Sequence, residues 1–200
     1  MLRLKKIAVT GGIASGKSAV CQVLQELGAF VVDADAIVHE LLTPDTSIGQ
    51  QVIRLLGNNI VKNGKLSRRA IADKVFNDPE TLHALEKILH PAVLEKINLL
   101  YRLACSQKSS KVFVVEIPLL FEIGQEKFYD AVIVTITNEK LAQQRYRSVG
   151  HSDEEFFLRM KRQLDPEKKA QRADYVIRNE GSIDDLRKQV KNISNEVFSS

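Results

Sequence analysis

"VTGGIASGKSAV", residues 9–20, follows the apolar run Ile7–Thr10 and leads into a stretch with helical spacing. Gly11 to Ser18 fit G-x-x-x-x-G-K-[ST] in full, between a strand and a helix as that motif requires. Its glycines let the backbone curl so that several N–H groups face phosphate oxygens. The helix that follows adds the positive end of its dipole. Lys17 is placed to reach β- and γ-phosphates, and the Ser18 hydroxyl to ligate Mg2+. A turn that merely joined strand to helix would need neither the Lys–Ser pair nor so long a loop. Gly11, Gly12, Ala14, Ser15, Gly16, Lys17, Ser18 and Ala19 are therefore the candidate contacts of a nucleoside triphosphate.

Working outward, a helix is expected from about Lys17 to Leu27, with Val20, Val23, Leu24 and Leu27 on one face and Gly28 as its stop. Phe30–Val32 reads as a second strand, so the chain begins with a βαβ unit and a parallel sheet. "KVFVVEIPLLFE" (111–122) and "DAVIVTIT" (130–137) read as two further strands, apolar on both faces as in a covered parallel sheet. "ADYVIRN" (173–179) is the fifth. From about Ala36 to Lys108 the pattern is helical. Asp78–Pro79 starts a helix with Leu82, Leu85 and Leu89 on one face. Pro91 is expected to divide it from another carrying Val93, Ile97 and Leu100. Ser152 and Glu155 form a capping box before a stripe of Phe156, Met160 and Leu164. Ser182 with Asp185 caps the last helix, where Ile183, Leu186, Val190, Ile193 and Val197 follow helical spacing.

With 200 residues, 44% hydrophobic and 27% charged, the chain suits one large domain or a core with inserted parts. A formal charge of +4 fits an anionic ligand without demanding nucleic acid, and no nucleic-acid partner is expected. No apolar run approaches the roughly 20 residues that span a bilayer, so no membrane partner is expected either. "MLRLKKIAVT" reads as a first strand and not as a signal peptide. Cys21 and Cys105 lie far apart with no metal-ligand spacing, which points to a reducing, cytoplasmic setting. The basic residues Arg159, Lys161, Arg162, Lys168, Lys169 and Arg172 read either as an attractor of phosphates or as a solvated helix face.

The motif alone leaves three classes open: a small-molecule kinase, a GTPase switch, or an NTP-binding module, non-enzymatic or doing mechanical work. A GTPase would carry N-K-x-D for guanine, and "NEKL" at Asn138 resembles it only superficially. The kinase reading gains from Asp33 and Asp35 at the end of the second strand. Ligands of doubly wound sheets sit beyond the carboxyl ends of the strands, where Asp33 would face the same crevice as the phosphate loop. An acceptor hydroxyl needs positioning and a destination for its proton. The same "DADA" also reads as a polar strand exit.

"TGGIASGKSAV", "VVDADAIVHELL", "LHPAV", "IPLLFE" and "ADYVIRNEG" stand in the order and spacing of dephospho-CoA kinases, and the resemblance runs from about residue 5 to 195. It implies a P-loop NTPase fold: a doubly wound α/β core with a five-stranded parallel sheet (about 1–35, 109–137 and 171–200). It implies an α-helical CoA-binding insertion (about 36–108) and a mobile helical lid (about 138–170). It implies ATP-dependent phosphorylation of the ribose 3′-hydroxyl of dephospho-CoA, with Mg2+, by a monomer or weak homo-oligomer. A kinase of another nucleoside or nucleotide is the alternative. By the same resemblance Asp33 is the base at the acceptor hydroxyl, and Asp35 orients water or metal. Arg68 and His90 fall where substrate lies, although Arg68 with Arg69 also reads as a solvated helix start and His90 equally as a polar cap before Pro91. Leu119, Leu120 and Phe121 form an apolar wall beside the acceptor, or plain core. Arg145 is the lid cation, and Asn179 and Gly181 wrap the adenine, although Asn179 also reads as a plain turn residue.

Two departures from that pattern stand out. The third of the apolar strands ends in Glu116, where the family commonly has Asp. In the lid, the family places a second Arg four residues after the first; here "RYRSVGHSDEE" has Val149 and is one residue shorter. Arg145 is therefore expected to be the main lid cation, with Arg147 at most a helper.

Overall fold

The fold is that of a computed structural model, which describes residues 3–75, 78–107 and 109–199. Lys108, at which the sequence reading closes the insertion, lies outside them. The chain divides into two compact units: Met1–Asp33 with Leu103–Ser200, and Ala34–Arg102.

In chain order the first elements are β1 (Lys5–Gly11), α1 (Lys17–Glu26) and β2 (Ala29–Asp33). Next come α2 (Ala34–Leu41), α3 (Ser47–Leu56), the short strands β3 (Val61–Lys62) and β4 (Lys65–Leu66), α4 (Arg68–Val75) and α5 (Pro79–Gln107). The chain then forms β5 (Val112–Glu116), β6 (Ala131–Ile136), α6 (Glu139–Ser148), α7 (Asp153–Met160) and α8 (Pro166–Arg172). It closes with β7 (Tyr175–Arg178) and α9 (Ile183–Ser199).

The five long strands make one sheet in the order β2-β5-β1-β6-β7, parallel throughout. Such strands must be apolar on both faces, and β1, β5 and β6 are. One face, with Ile7, Val9, Val114, Ile133 and Ile177, packs under Val20 and Leu24 of α1 and Leu186 and Val190 of α9. On the other face Ala8, Val115, Val132 and Val134 are equally buried, and α8 lies over β6. This is the expected doubly wound sheet of five parallel strands. The second unit has its own core, in which Val52 and Leu56 of α3 meet Ile60, Ile71 and Leu85.

Several local expectations are corrected. The second unit is not helical throughout, because β3 and β4 form an antiparallel hairpin. Asn63 and Gly64 turn it with φ 51 and φ 72, the two left-handed positions of a type I′ turn. Pro91 does not divide a helix; α5 runs through it. A proline removes one backbone hydrogen bond, and in a helix buried on both sides of it, at Leu85 and Ile97, the remaining bonds and packing carry the chain on. Strand β5 stops at Glu116 rather than continuing through "IPLLFE". Ile117 still donates to Val9 O, but Pro118 has no N–H, and Ile123 N donates back to Leu119 O in a turn. Leu164 is not on the α7 stripe. That helix ends at Met160, and α8 begins instead at Asp165–Pro166, where Asp165 accepts from the N–H groups of Glu167 and Lys168.

Candidate active site

The loop between β1 and α1 sits at the carboxyl end of the central strand, with β5 and β6 on either side. Gly11 is pinned against β6: a Cβ there would lie 2.1 Å from the Thr135 carbonyl oxygen. Gly16 adopts φ 97, which opens α1 from a left-handed residue. Lys17 Nζ donates to the Gly12 carbonyl at 2.8 Å, so its ammonium lies along the loop. Ser15 Oγ is buried without a hydrogen-bond partner. This ring of donors, with a cation and a helix N-terminus, fits a triphosphate.

Two carboxylates close the adjoining edge. Asp33 ends β2 in register with Glu116, which ends β5, and Asp33 is exposed while Glu116 is buried. Glu116 accepts from Ser18 Oγ at 3.0 Å. Burial pushes the Glu116 carboxyl above its ordinary range, and the Ser18 hydrogen bond and the Lys17 charge oppose that shift. Cys21, one turn along α1, has its thiol pushed well up by burial and then by the Glu116 charge, which makes it no nucleophile. No cluster of three or more His, Cys, Asp or Glu suited to a metal occurs among the described residues. The oxygen donors here are Ser18, Glu116 and Asp33, a set that suits a hard cation held mainly by phosphates and water.

The loop's tip is held by the helices expected as the lid. Ile13 shares a small core with Ala142 and Tyr146 of α6 and Phe156 of α7, with Ala14 and Met160 against it. Asn138 caps α6 by accepting from Leu141 N, and Ser152 and Glu155 form the expected capping box of α7. Arg145, on α6, has a buried Nη1 without a hydrogen-bond partner. Arg147 is bound bidentately by Asp153 at the start of α7. Val149, in the place of the family's second arginine, is 70% exposed.

The remaining sequence candidates are placed as follows. Asn179, just after β7, is buried with its side-chain amide donating to Ser15 O at 2.8 Å. Gly181 is exposed, against Asp185 of the Ser182–Asp185 cap. Leu119 is exposed, whereas Leu120 and Phe121 are buried. In the second unit, Asp35 stands in the first turn of α2. Arg68 begins α4 and meets His39 of α2 through Nη2, and half-buried His90 lies within α5.

The basic residues 159–172 are not one solvated face. Lys169 is fully buried, paired with Glu122 at 2.7 Å and donating to Pro118 O at 3.0 Å. Pro118 O also accepts from Thr10 Oγ1, directly before the phosphate loop, and Glu122 accepts from Leu164 N. Burial pulls the Lys169 ammonium below its ordinary range against the pull of Glu122. Arg172 pairs with Glu126 and lies over the Phe121 ring, 4.5 Å from its centroid. Sequence reasoning missed this network. The available signal was a Glu inside an otherwise apolar "PLLFE", which must be paired if it is buried.

The dephospho-CoA kinase family profile matches residues 5–185. The dephospho-CoA kinase of Protochlamydia amoebophila (strain UWE25) is 43% identical over 202 residues, covering 98% of each chain. Among solved structures, a Thermus thermophilus protein superposes with a TM-score of 0.83 at 34% identity, covering 98% of each chain. The dephospho-CoA kinase from Campylobacter jejuni gives 0.70 at 29% identity over 97% of each. A phosphate loop beside paired strand-end carboxylates on a five-stranded parallel sheet, carried on a sequence matched along nearly its whole length, places this chain in the dephospho-CoA kinase family.

Proposed function

We propose that this chain transfers the γ-phosphoryl group of ATP to the ribose 3′-hydroxyl of dephospho-CoA, giving CoA and ADP, the last step of CoA biosynthesis. The observation that carries the reading is the meeting of the Lys17–Ser18 loop with the Asp33–Glu116 strand ends in a chain of this family. Phosphoryl transfer leaves little covalent work to protein, so positioning and charge stabilisation dominate. Backbone N–H groups of residues 11–19 cradle the phosphates. Lys17 and Arg145 hold the transferring group, and the unpartnered, buried Nη1 of Arg145 supports that role. Asp33, exposed at its strand end, orients the 3′-hydroxyl and takes its proton as the oxygen bonds to phosphorus and the bond to the ADP oxygen breaks.

Ser18 would hold Mg2+, with Glu116 receiving the Ser18 hydroxyl; when bound, that ion neutralises charge on the β- and γ-phosphates. Asp35, Arg68 and His90 serve the acceptor from the helical insertion, Leu119 and Leu120 form its apolar wall, and the segment of Asn179 and Gly181 serves the nucleotide. The helices of residues 138–170 act as a lid that excludes water. Two free cysteines agree with a cytoplasmic enzyme. A monomer or weak homo-oligomer acting on a small molecule, with neither nucleic acid nor membrane as partner, completes the proposal; no helix among the described residues is long and apolar enough to cross a membrane. ADP release measured with dephospho-CoA, AMP, CMP and adenosine tests it. Turnover should need dephospho-CoA, and comparable rates with AMP, CMP or adenosine would reassign the acceptor.

A further inference from the structure

Asn179 is 8% exposed and has three of its polar groups engaged. Its N–H donates to Ile136 O at 2.9 Å, and its carbonyl accepts from Thr137 Oγ1 at 3.0 Å. Its side chain spans to the phosphate loop, where Nδ2 donates to Ser15 O at 2.8 Å. Because the partner is a carbonyl, the amide must present its nitrogen there. A Cβ on Gly16 would come within 2.1 Å of that nitrogen, so the bare glycine leaves the volume the amide fills.

A trans peptide is planar, with its C=O and N–H pointing in opposite directions. Holding the Ser15 carbonyl toward Asn179 therefore turns the Gly16 N–H the other way. A peptide beside a glycine flips at little steric cost, and Gly16 already sits at φ 97. A flip would aim a carbonyl, instead of a donor, at whatever the N–H faces. We propose that Asn179 is a positioning residue that locks the Ser15–Gly16 peptide in its phosphate-accepting orientation, and that it acts on the triphosphate and not on the base. The inference rests on the reading of residues 11–18 as the triphosphate site.

The test uses inorganic tripolyphosphate, which has neither base nor sugar, beside ATP and GTP. Binding with Mg2+ is measured by calorimetry for the unsubstituted chain, Asn179→Ala and Asn179→Asp, with folding checked by circular dichroism. Asn179→Ala should lose about tenfold in affinity for all three ligands alike, the scale of one hydrogen-bonding donor, while KM for dephospho-CoA stays within about twofold. In Asn179→Asp an ionised carboxylate faces the Ser15 carbonyl, whereas the protonated acid donates to it. Burial raises that acid's pKa. Its tripolyphosphate affinity, relative to the unsubstituted chain at the same pH, should recover as pH falls toward about 5, with no such recovery in Asn179→Ala. If Asn179→Ala does not fold, the pH dependence of Asn179→Asp decides alone. Undiminished tripolyphosphate affinity, or a loss confined to ATP, overturns the proposal and leaves the kinase reading standing. Failure of the unsubstituted chain to bind either tripolyphosphate or ATP removes the phosphate-loop reading, and this proposal with it.

Discussion

The two carboxylates at the strand ends differ in exposure, and that difference divides their work. Glu116 is buried and accepts from Ser18, whereas Asp33 is exposed at its strand end, where the proposed reaction brings a hydroxyl from solution. Asp33→Asn should lower kcat by roughly 10²–10⁴ with ATP affinity nearly unchanged, as measured by steady-state kinetics beside nucleotide titration. Lost ATP binding with intact chemistry would make Asp33 a nucleotide or metal ligand instead. The two arginines of the proposed lid differ as well. Arg147 is clamped by Asp153, while Arg145 carries a buried donor with nothing to give it to. In kcat at saturating ATP and dephospho-CoA, Arg145→Ala should lose toward the 10³–10⁵ of an arginine on a transferring phosphoryl group. Arg147→Ala should lose about tenfold at most. Equal, large losses would mean that Arg147 has taken the place of the missing arginine.

At the scale of elements, the Lys169–Glu122 pair ties α8 to the turn after β5 and, through Pro118 O, to the end of β1. Lys169→Met leaves a largely buried carboxylate without its cation, which costs about 3 kcal/mol or somewhat more. For a chain of this size that is roughly 6–12 °C in Tm. Lys169→Met with Glu122→Gln should regain most of the loss in thermal melts, and a double variant no better than the single would show that the pair is not coupled. These elements also mark how far local rules read. Asp165–Pro166 carries the same helix-start signal as Asp78–Pro79, and Asn63–Gly64 is an ordinary hairpin turn, so both were legible though overlooked. The phosphate loop was legible because its whole motif lies within eight neighbouring residues. Lys169 was not, because a lysine among other cations looks solvated until its partner, distant in sequence, is known. Asn179 was a candidate through resemblance alone, and its bond to Ser15 depends on a contact between residues 164 positions apart.

For the molecule as a whole, a ligand that binds only the folded state adds stability by mass action. Mg·ATP at about 100 times its Kd should add about 2.7 kcal/mol, some 5–10 °C in Tm, and Lys17→Ala at the same concentration should lose most of that shift. An equal shift in the variant would take Lys17 out of nucleotide binding. The five strands were readable as apolar runs, but their order was not, since each pairing joins distant segments. That order also has a bearing on how the chain is made. β2 pairs with β5, and β1 with β5 and β6, so none of the long strands has a partner within the first 111 residues. The core cluster of the second unit, by contrast, gathers described residues between 42 and 89. On a ribosome adding roughly 5–20 residues per second, the first strand and its glycine loop wait unpaired for several seconds while that unit is synthesised. The Asn179 hold on Ser15 comes later still, after β7 has emerged. The nucleotide site is thus completed only once residues far downstream of its own signature have been translated.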